Sequence, residues 1–261
     1  MPGVPLVSNW FVCQKSGSQA SLRLFCFPYA GGSASIFRGW AESLPATVEV
    51  CAVQLPGRGS RLLEPAITRM PELVKAIASA ILPYLDKPFA FFGHSLGTAV
   101  CLELARYLRR KSKVEPVHLF VSGGRAPQAQ APEVPTYNLP EAEFLKELRR
   151  LDGTPAEILE HPELMRLLLP VLRADFELIQ TYLYKQGKPL ACPITAFGGT
   201  LDKEVGLRRL QGWQAQTSAH FSLNMIPGDH FFINTSQRML LLTLAKELDK
   251  IVSRISEGSP R

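Results

Sequence analysis

The sequence predicts an α/β fold with a mostly parallel sheet and helices on both faces. Two observations carry this expectation. Six short runs rich in β-branched and aromatic residues recur along the chain without polar alternation, which is how strands buried on both faces read. Amphipathic helical patterns stand between most of them, and strand and helix alternating at this spacing build a parallel sheet. The length of 261 residues fits one such domain over residues 1–261.

In chain order the predicted strands are LRLFCF (22–27), VEVCAVQL (48–55), FAFF (89–92), HLFVSG (118–123), PITAFGG (193–199) and FSLNMI (221–226). The predicted helices are PELVKAIASAILPYL, LGTAVCLELARYLRR and VGLRRLQGWQAQ, with a last one from about Ser236 to Ile255. One segment breaks the rhythm. Over residues 128–186 the proline-rich PQAQAPEVPTYNLP is followed only by helical patterns, EAEFLKELRRL and HPELMRLLLPVLRADFELIQTYLY. The sheet pattern resumes at Ala191, so this reads as a helical insertion between two strands. Its surplus of Leu, Phe and Tyr fits either an acyl-sized pocket or packing onto the sheet. No internal repeat is evident.

Composition narrows the function classes. Hydrophobic residues at 46% and charged residues at 20% describe a globular chain, not a disordered or fibrous one. No apolar run approaches the roughly 18 residues that cross a bilayer. The beginning, MPGVPLVSNW, has no basic side chain before Lys15 and contains two prolines, unlike a secretory signal. A cytoplasmic location is the expectation, with neither membrane nor nucleic acid as a partner. Five cysteines, widely spaced and odd in number, indicate neither a disulfide framework nor a metal site. The net charge is +6, and Arg106, Arg109, Arg110, Lys111 and Lys113 form its densest cluster. They read as cations complementing a helix C-terminus or as a docking surface.

The motif Gly93-His94-Ser95-Leu96-Gly97 is weak alone, but it lies between an apolar strand and an amphipathic helix. That is the strand-turn-helix setting in which a serine nucleophile sits on a sharp elbow between small residues. Ser95 is therefore the candidate nucleophile. A hydroxyl needs a base, and His230 in IPGDHFF follows the last strand run. His94 occupies the variable position of the turn, points away from its neighbour and reads as a packing residue. His118 opens a strand, and His161 and His220 lie in uninformative polar contexts. The carboxylate that orients the base is expected at Asp202 in FGGTLDKEV, 28 residues before His230, in the chain order Ser, Asp, His. A cap on the following helix is its alternative role. Asp229 would have to fold back, and Asp175 lies inside a helical pattern. Oxyanion donors are expected at the Leu96 amide and at the Ala30 amide in FPYAGG, whose paired glycines otherwise make only a tight turn.

Together FPYAGGSAS, LPGRGSR, FFGHSLG, LDGTPAEIL, LRADFELIQTYLY, PITAFGGTLD and PGDHFF resemble the type II thioesterases. These are stand-alone enzymes of the α/β-hydrolase fold that accompany polyketide and nonribosomal peptide synthetases. The resemblance spans nearly the whole chain; the medium-chain thioesterase of animal fatty acid synthase is similar more distantly. It implies hydrolysis of acyl thioesters on the phosphopantetheine arm of acyl or peptidyl carrier proteins by a monomer, with no metal or other cofactor. By motif it assigns Ser95, Asp202 and His230 as the triad, and the Ala30 and Leu96 amides as oxyanion donors. It assigns the insertion as a mobile lid. Acidic carrier partners strengthen the docking reading of the basic cluster. An acyltransferase using the same acyl-serine, or a non-catalytic carrier-binding module on a hydrolase fold, are the competing functions.

Overall fold

The computed structural model describes residues 8–14, 20–129, 134–153 and 156–258. Its strands are β1 (Phe11–Cys13), β2 (Leu22–Phe27), β3 (Val48–Val53), β4 (Phe89–His94), β5 (His118–Ser122), β6 (Ile194–Gly199) and β7 (Phe221–Ile226). They form one sheet in the order β1-β3-β2-β4-β5-β6-β7. Every neighbouring pair is parallel except β1 with β3. This is the expected mostly parallel sheet with two departures.

Strand β1 is the first. Its three residues were too short a run to signal a strand, yet they pair antiparallel along the outer edge of β3 and set Cys13 opposite Cys51. The two sulfurs are bonded, with Cα atoms 4.0 Å apart. The absence of any disulfide expected from the cysteine count is thus corrected: residues 38 apart in sequence become cross-strand partners through the one antiparallel pairing. Cys26, Cys101 and Cys192 are free and buried. Strand β7 is the second. It was expected to be buried on both faces, but as the opposite edge strand it is half-covered, with Met225 38% exposed.

Helices fill both faces. They are α1 (Trp40–Ser43), α2 (Met70–Ile81), α3 (Leu96–Ser112), α4 (Glu141–Leu151), α5 (Ala156–Leu159), α6 (Pro162–Gln180), α7 (Leu207–Gln211), α8 (Phe232–Thr235) and α9 (Gln237–Gly258). The pleat of β2 separates the two cores. Leu22, Leu24 and Cys26 pack with Phe37, Trp40, Leu240 and Leu244 of the α1 and α9 side. Phe25 meets Leu73, Ile77, Val100 and Leu104 of α2 and α3 on the other. Helix α2 shows the local logic. Its proline lies in the first turn, where no amide bond is lost, and Leu73, Val74, Ile77 and Ile81 share its buried face. Each such side chain contributes about 1.5–3 kcal/mol by leaving water. The run VGLRRLQGWQAQ, expected as one helix, yields α7 and then a tight turn over Gly212–Gln216; glycine at the junction disfavours continuation.

The basic cluster on α3 is more structural than expected. Arg106 is buried and bonds the Gln216 amide oxygen, the Lys185 carbonyl and Glu103. Arg109 bonds the Pro189 and Lys188 carbonyls. Two of its five cations therefore tie α3 to the chain entering β6. Between β5 and β6 the chain forms α4, α5 and α6. Phe144, Leu148, Leu159, Met165, Leu169 and Leu172 make a small core among these helices. Among the described residues no helix is long and apolar enough to cross a membrane.

Candidate active site

Strand β4 ends at His94 and α3 begins at Leu96, so the whole turn between them is Ser95. Its backbone has φ 52° and ψ −114°, a region costing about 1–3 kcal/mol for a residue with a Cβ. Neighbours hold it there. The Ser95 amide donates to the Ser122 carbonyl (2.8 Å), and its carbonyl accepts from the Thr98 amide (3.0 Å) and hydroxyl (2.7 Å). The flanking glycines follow from crowding: a Cβ on Gly93 would strike the Gly97 carbonyl, and one on Gly97 would strike the Phe27 carbonyl. The end of β2 thus abuts the elbow.

Ser95 Oγ lies 3.0 Å from His230 Nε2, and His230 Nδ1 lies 2.8 Å from Asp202 Oδ2. The loop after β4 supplies the serine, the loop after β6 the aspartate and the loop after β7 the histidine, all at the carboxyl edge of the sheet. The Asp202 side chain is fully buried. Its second oxygen accepts the amides of Glu204 (2.8 Å) and Val205 (2.9 Å). Burial alone would raise its pKa, but the His230 hydrogen bond and charge, with the two amides, hold it below the usual carboxylate range. The capping alternative is realised in part: Asp202 caps its own turn, while α7 starts later, after Gly206. With Asp202 accepting from Nδ1–H, Nε2 is left as an acceptor for the serine proton.

His94 is more than the packing residue expected. It is fully buried, and its Nε2 lies 3.0 Å from the His230 carbonyl while Nδ1 lies 2.9 Å from Ser122 Oγ. A carbonyl only accepts, so Nε2 carries the proton and Nδ1 accepts from the serine hydroxyl. Burial, then the proximity of His230, push its pKa down to about 3. This neutral ring holds the backbone of the candidate base. His118 stacks on Phe120 and bonds Thr195 at the amino end of β5, away from the elbow. The Asp229 carboxylate accepts the Phe231 amide.

The candidate oxyanion loop follows β2. Gly32 N–H donates to the Tyr29 carbonyl (2.9 Å), and Gly31 at φ 79° supplies the positive angle this turn needs at its third position. The Tyr29 ring meets those of His94 and Phe231 edge-on at 5.8 and 5.2 Å, which seats the loop beside the elbow. Among the described residues the Ala30 amide has no hydrogen-bond partner. Leu96 opens α3, so its amide lacks an acceptor one turn back. The arrangement can take a proton from Ser95 and offers two free amides near it. An apolar pocket of about 240 Å³ lies between α6 and the loop after β3, lined by Leu62, Ile158, Leu164, Leu167, Leu168 and Val171 with residues 57–59. The apolar surplus of the insertion therefore divides between packing and a pocket that none of the three triad residues lines.

The family model described as the thioesterase domain matches residues 22–251. The chain belongs to the thioesterase family. Three relatives give its range. It is 46% identical to the gramicidin S biosynthesis protein GrsT of Aneurinibacillus migulanus, covering 97% of this chain and 99% of that protein. It is 40% identical to the solved structure of RedJ, a thioesterase from the prodiginine biosynthetic pathway in Streptomyces coelicolor, at a TM-score of 0.82 over 87% of this chain and 86% of that one. YbtT, a type II thioesterase from a yersiniabactin NRPS/PKS biosynthetic pathway, is 28% identical, with a TM-score of 0.80 over 91% and 97% of the two chains. This thioesterase has the α/β-hydrolase fold of these neighbours and is a thioester hydrolase of their type II class.

Proposed function

We propose that this thioesterase removes acyl groups from the phosphopantetheine arm of acyl or peptidyl carrier domains of a synthase, through an acyl-Ser95 intermediate. The observation that supports this best is the unbroken line Ser95–His230–Asp202 on a strained elbow. It stands in a chain similar over most of its length to thioesterases of biosynthetic pathways.

In this reading His230 Nε2 takes the Ser95 proton as Oγ attacks the thioester carbonyl, and Asp202 stabilises the resulting imidazolium. The tetrahedral oxyanion is held by the Ala30 and Leu96 amides. Collapse expels the pantetheine thiolate, which takes the proton from the His230 imidazolium; its conjugate thiol has a pKa of about 8.5, so it leaves far more readily than an amine. His230 then activates water, which frees the carboxylic acid and regenerates the serine. Every step is carried by the chain's own residues, and the only prosthetic group is the arm that the substrate brings. The same reading has the enzyme acting as a monomer in the cytoplasm beside its synthase.

Ser95→Ala is expected to lower kcat by about 10⁴- to 10⁶-fold, since triad members act as a unit. Substantial turnover by that variant would overturn the assignment. Hydrolysis of one acyl panel, loaded on carrier proteins and on free coenzyme A, tests the partner. A higher kcat/KM on the carrier is expected, and equal values would remove the carrier from the proposal.

A further inference from the structure

We propose that Arg58 and Asp175 are positioning residues that clamp the oxyanion loop, making α6 a fixed support of the catalytic centre and not part of a moving lid. This rests on the reading above, in which Ala30 donates to the oxyanion.

Asp175 lies in the middle of α6 and Arg58 in the loop after β3, and they are only 2% and 5% exposed. The guanidinium grips both carboxylate oxygens, Nη1 to Oδ2 at 2.5 Å and Nη2 to Oδ1 at 2.8 Å. A buried ion pair is weak evidence of stability, because desolvation offsets most of the attraction; what matters is where the remaining bonds go. Asp175 Oδ2 also accepts the Gly31 amide (2.7 Å), and Arg58 Nη1 also donates to the Gly32 carbonyl (3.3 Å). A donor and an acceptor of one turn are therefore held by opposite charges of one pair.

The effect on the turn is specific. Gly31 N–H and Gly32 C=O are bound to the pair, and Gly32 N–H is bound to Tyr29. The Ala30 amide remains, without a partner among the described residues, in the turn whose Tyr29 ring meets that of His94. Rotation of the Ala30–Gly31 peptide, the motion that interconverts turn types, would bring the Ala30 carbonyl toward the Asp175 carboxylate. The negative charge opposes that rotation. Packing acts in the same direction: Leu172 fills the space a Cβ on Gly31 would need, and Val171 borders the space a Cβ on Gly57 would take. Helix α6 thus meets both loops through Val171, Leu172 and Asp175, within about one turn, and Leu172 also belongs to the small core through which α4 and α5 meet α6.

The test is steady-state kinetics on an acyl thioester with Asp175→Ala, Asp175→Asn and Arg58→Lys, each measured where circular dichroism shows it folded. Asp175→Ala is expected to lower kcat by about 10- to 1000-fold, the range for a lost or misplaced oxyanion donor, with KM changed less than threefold. Asp175→Asn keeps an oxygen for the Gly31 amide and should lose less. Affinity for an alkyl boronic acid, whose serine adduct carries the oxyanion, should fall in step with kcat. A purely structural role would lower the melting temperature and leave kcat and boronate affinity unchanged, and that result overturns the clamp. Should only Asp175→Asn fold, an unchanged kcat and boronate affinity in it does the same. An active Ser95→Ala would instead bring down the catalytic reading itself, so the two failures are distinguishable.

Discussion

His94 donates its Nε2 proton to the His230 carbonyl and accepts the Ser122 hydroxyl at Nδ1, so a second proton on the ring would break the bond to Ser122. In the folded chain the ring's pKa is about 3, against 6.5 when unperturbed. As pH falls below 6.5 the unfolded chain binds this proton first. The contribution is complete above about 6.5 and declines as pH falls toward 3, by on the order of 1 kcal/mol per pH unit. Asp202 acts lower: its depressed pKa means stability present above the usual carboxylate range and lost as pH falls through its folded value. The window from 6.5 to 4 thus reports His94 together with His118, whose burial pushes its pKa down to about 4, and removing His94 alone isolates its share. His94→Gln keeps a donor for the His230 carbonyl without the titration, so urea unfolding across that window should show a flatter pH slope than wild type; an equal slope would contradict the assignment. Ser95, Asp202 and His230 were legible because each stands just past a strand run in a fixed chain order. The role of His94 was not, because its partner is a carbonyl 136 residues away. Asp175 left a trace in the sequence. It falls on the same helical face as Val171, Leu172 and Leu178, and a charge on an apolar stripe calls for a buried partner.

The elbow is the element that tolerates least change. Gly97→Ala drives a methyl group into the Phe27 carbonyl, which is backbone and cannot rotate away. The expected result is a loss of about 1–3 kcal/mol in unfolding free energy, accompanied by a fall in kcat of more than tenfold as β2 and the oxyanion loop shift. Gly206→Ala is the matched control. Nothing lies within 4 Å of its added carbon, so urea midpoint and kcat should both stay near wild type. Equal behaviour of the two variants would refute the crowding argument. Six strands and the long helices were readable because continuous apolar runs and 3.6-residue periodicity report burial directly. Strand β1 was not, since three residues show no period, and the α7 segment was overextended because Gly212 interrupts a pattern that otherwise continues.

At the scale of the whole molecule, the fold class was legible and the single covalent cross-link was not. The Cys13–Cys51 bond closes a 38-residue separation at the sheet edge opposite β7, far along the strand order from the aspartate and histidine loops. Chain-entropy arguments give about 2–4 kcal/mol for such a loop. Cys13→Ser is therefore expected to lower the melting temperature measured without reductant while leaving kcat within twofold. Alkylation of the unfolded, unreduced protein should modify three of its five cysteines. Five modified residues would show that the bond does not form under the conditions used, as reducing compartments favour.

The strand order also sets when Ser95, His230 and Asp202 can come together. Strands β1 to β5 are contiguous in the sheet, and β6 and β7 add in sequence at one side. During synthesis the ribosome releases the first five together with the Ser95 elbow and the Ala30 turn. Asp202 and then His230 emerge later, followed by α8 and α9. A chain still tethered before β7 holds Ser95 without the histidine that meets it in the folded protein. The line from Ser95 through His230 to Asp202 closes only when the final strand docks.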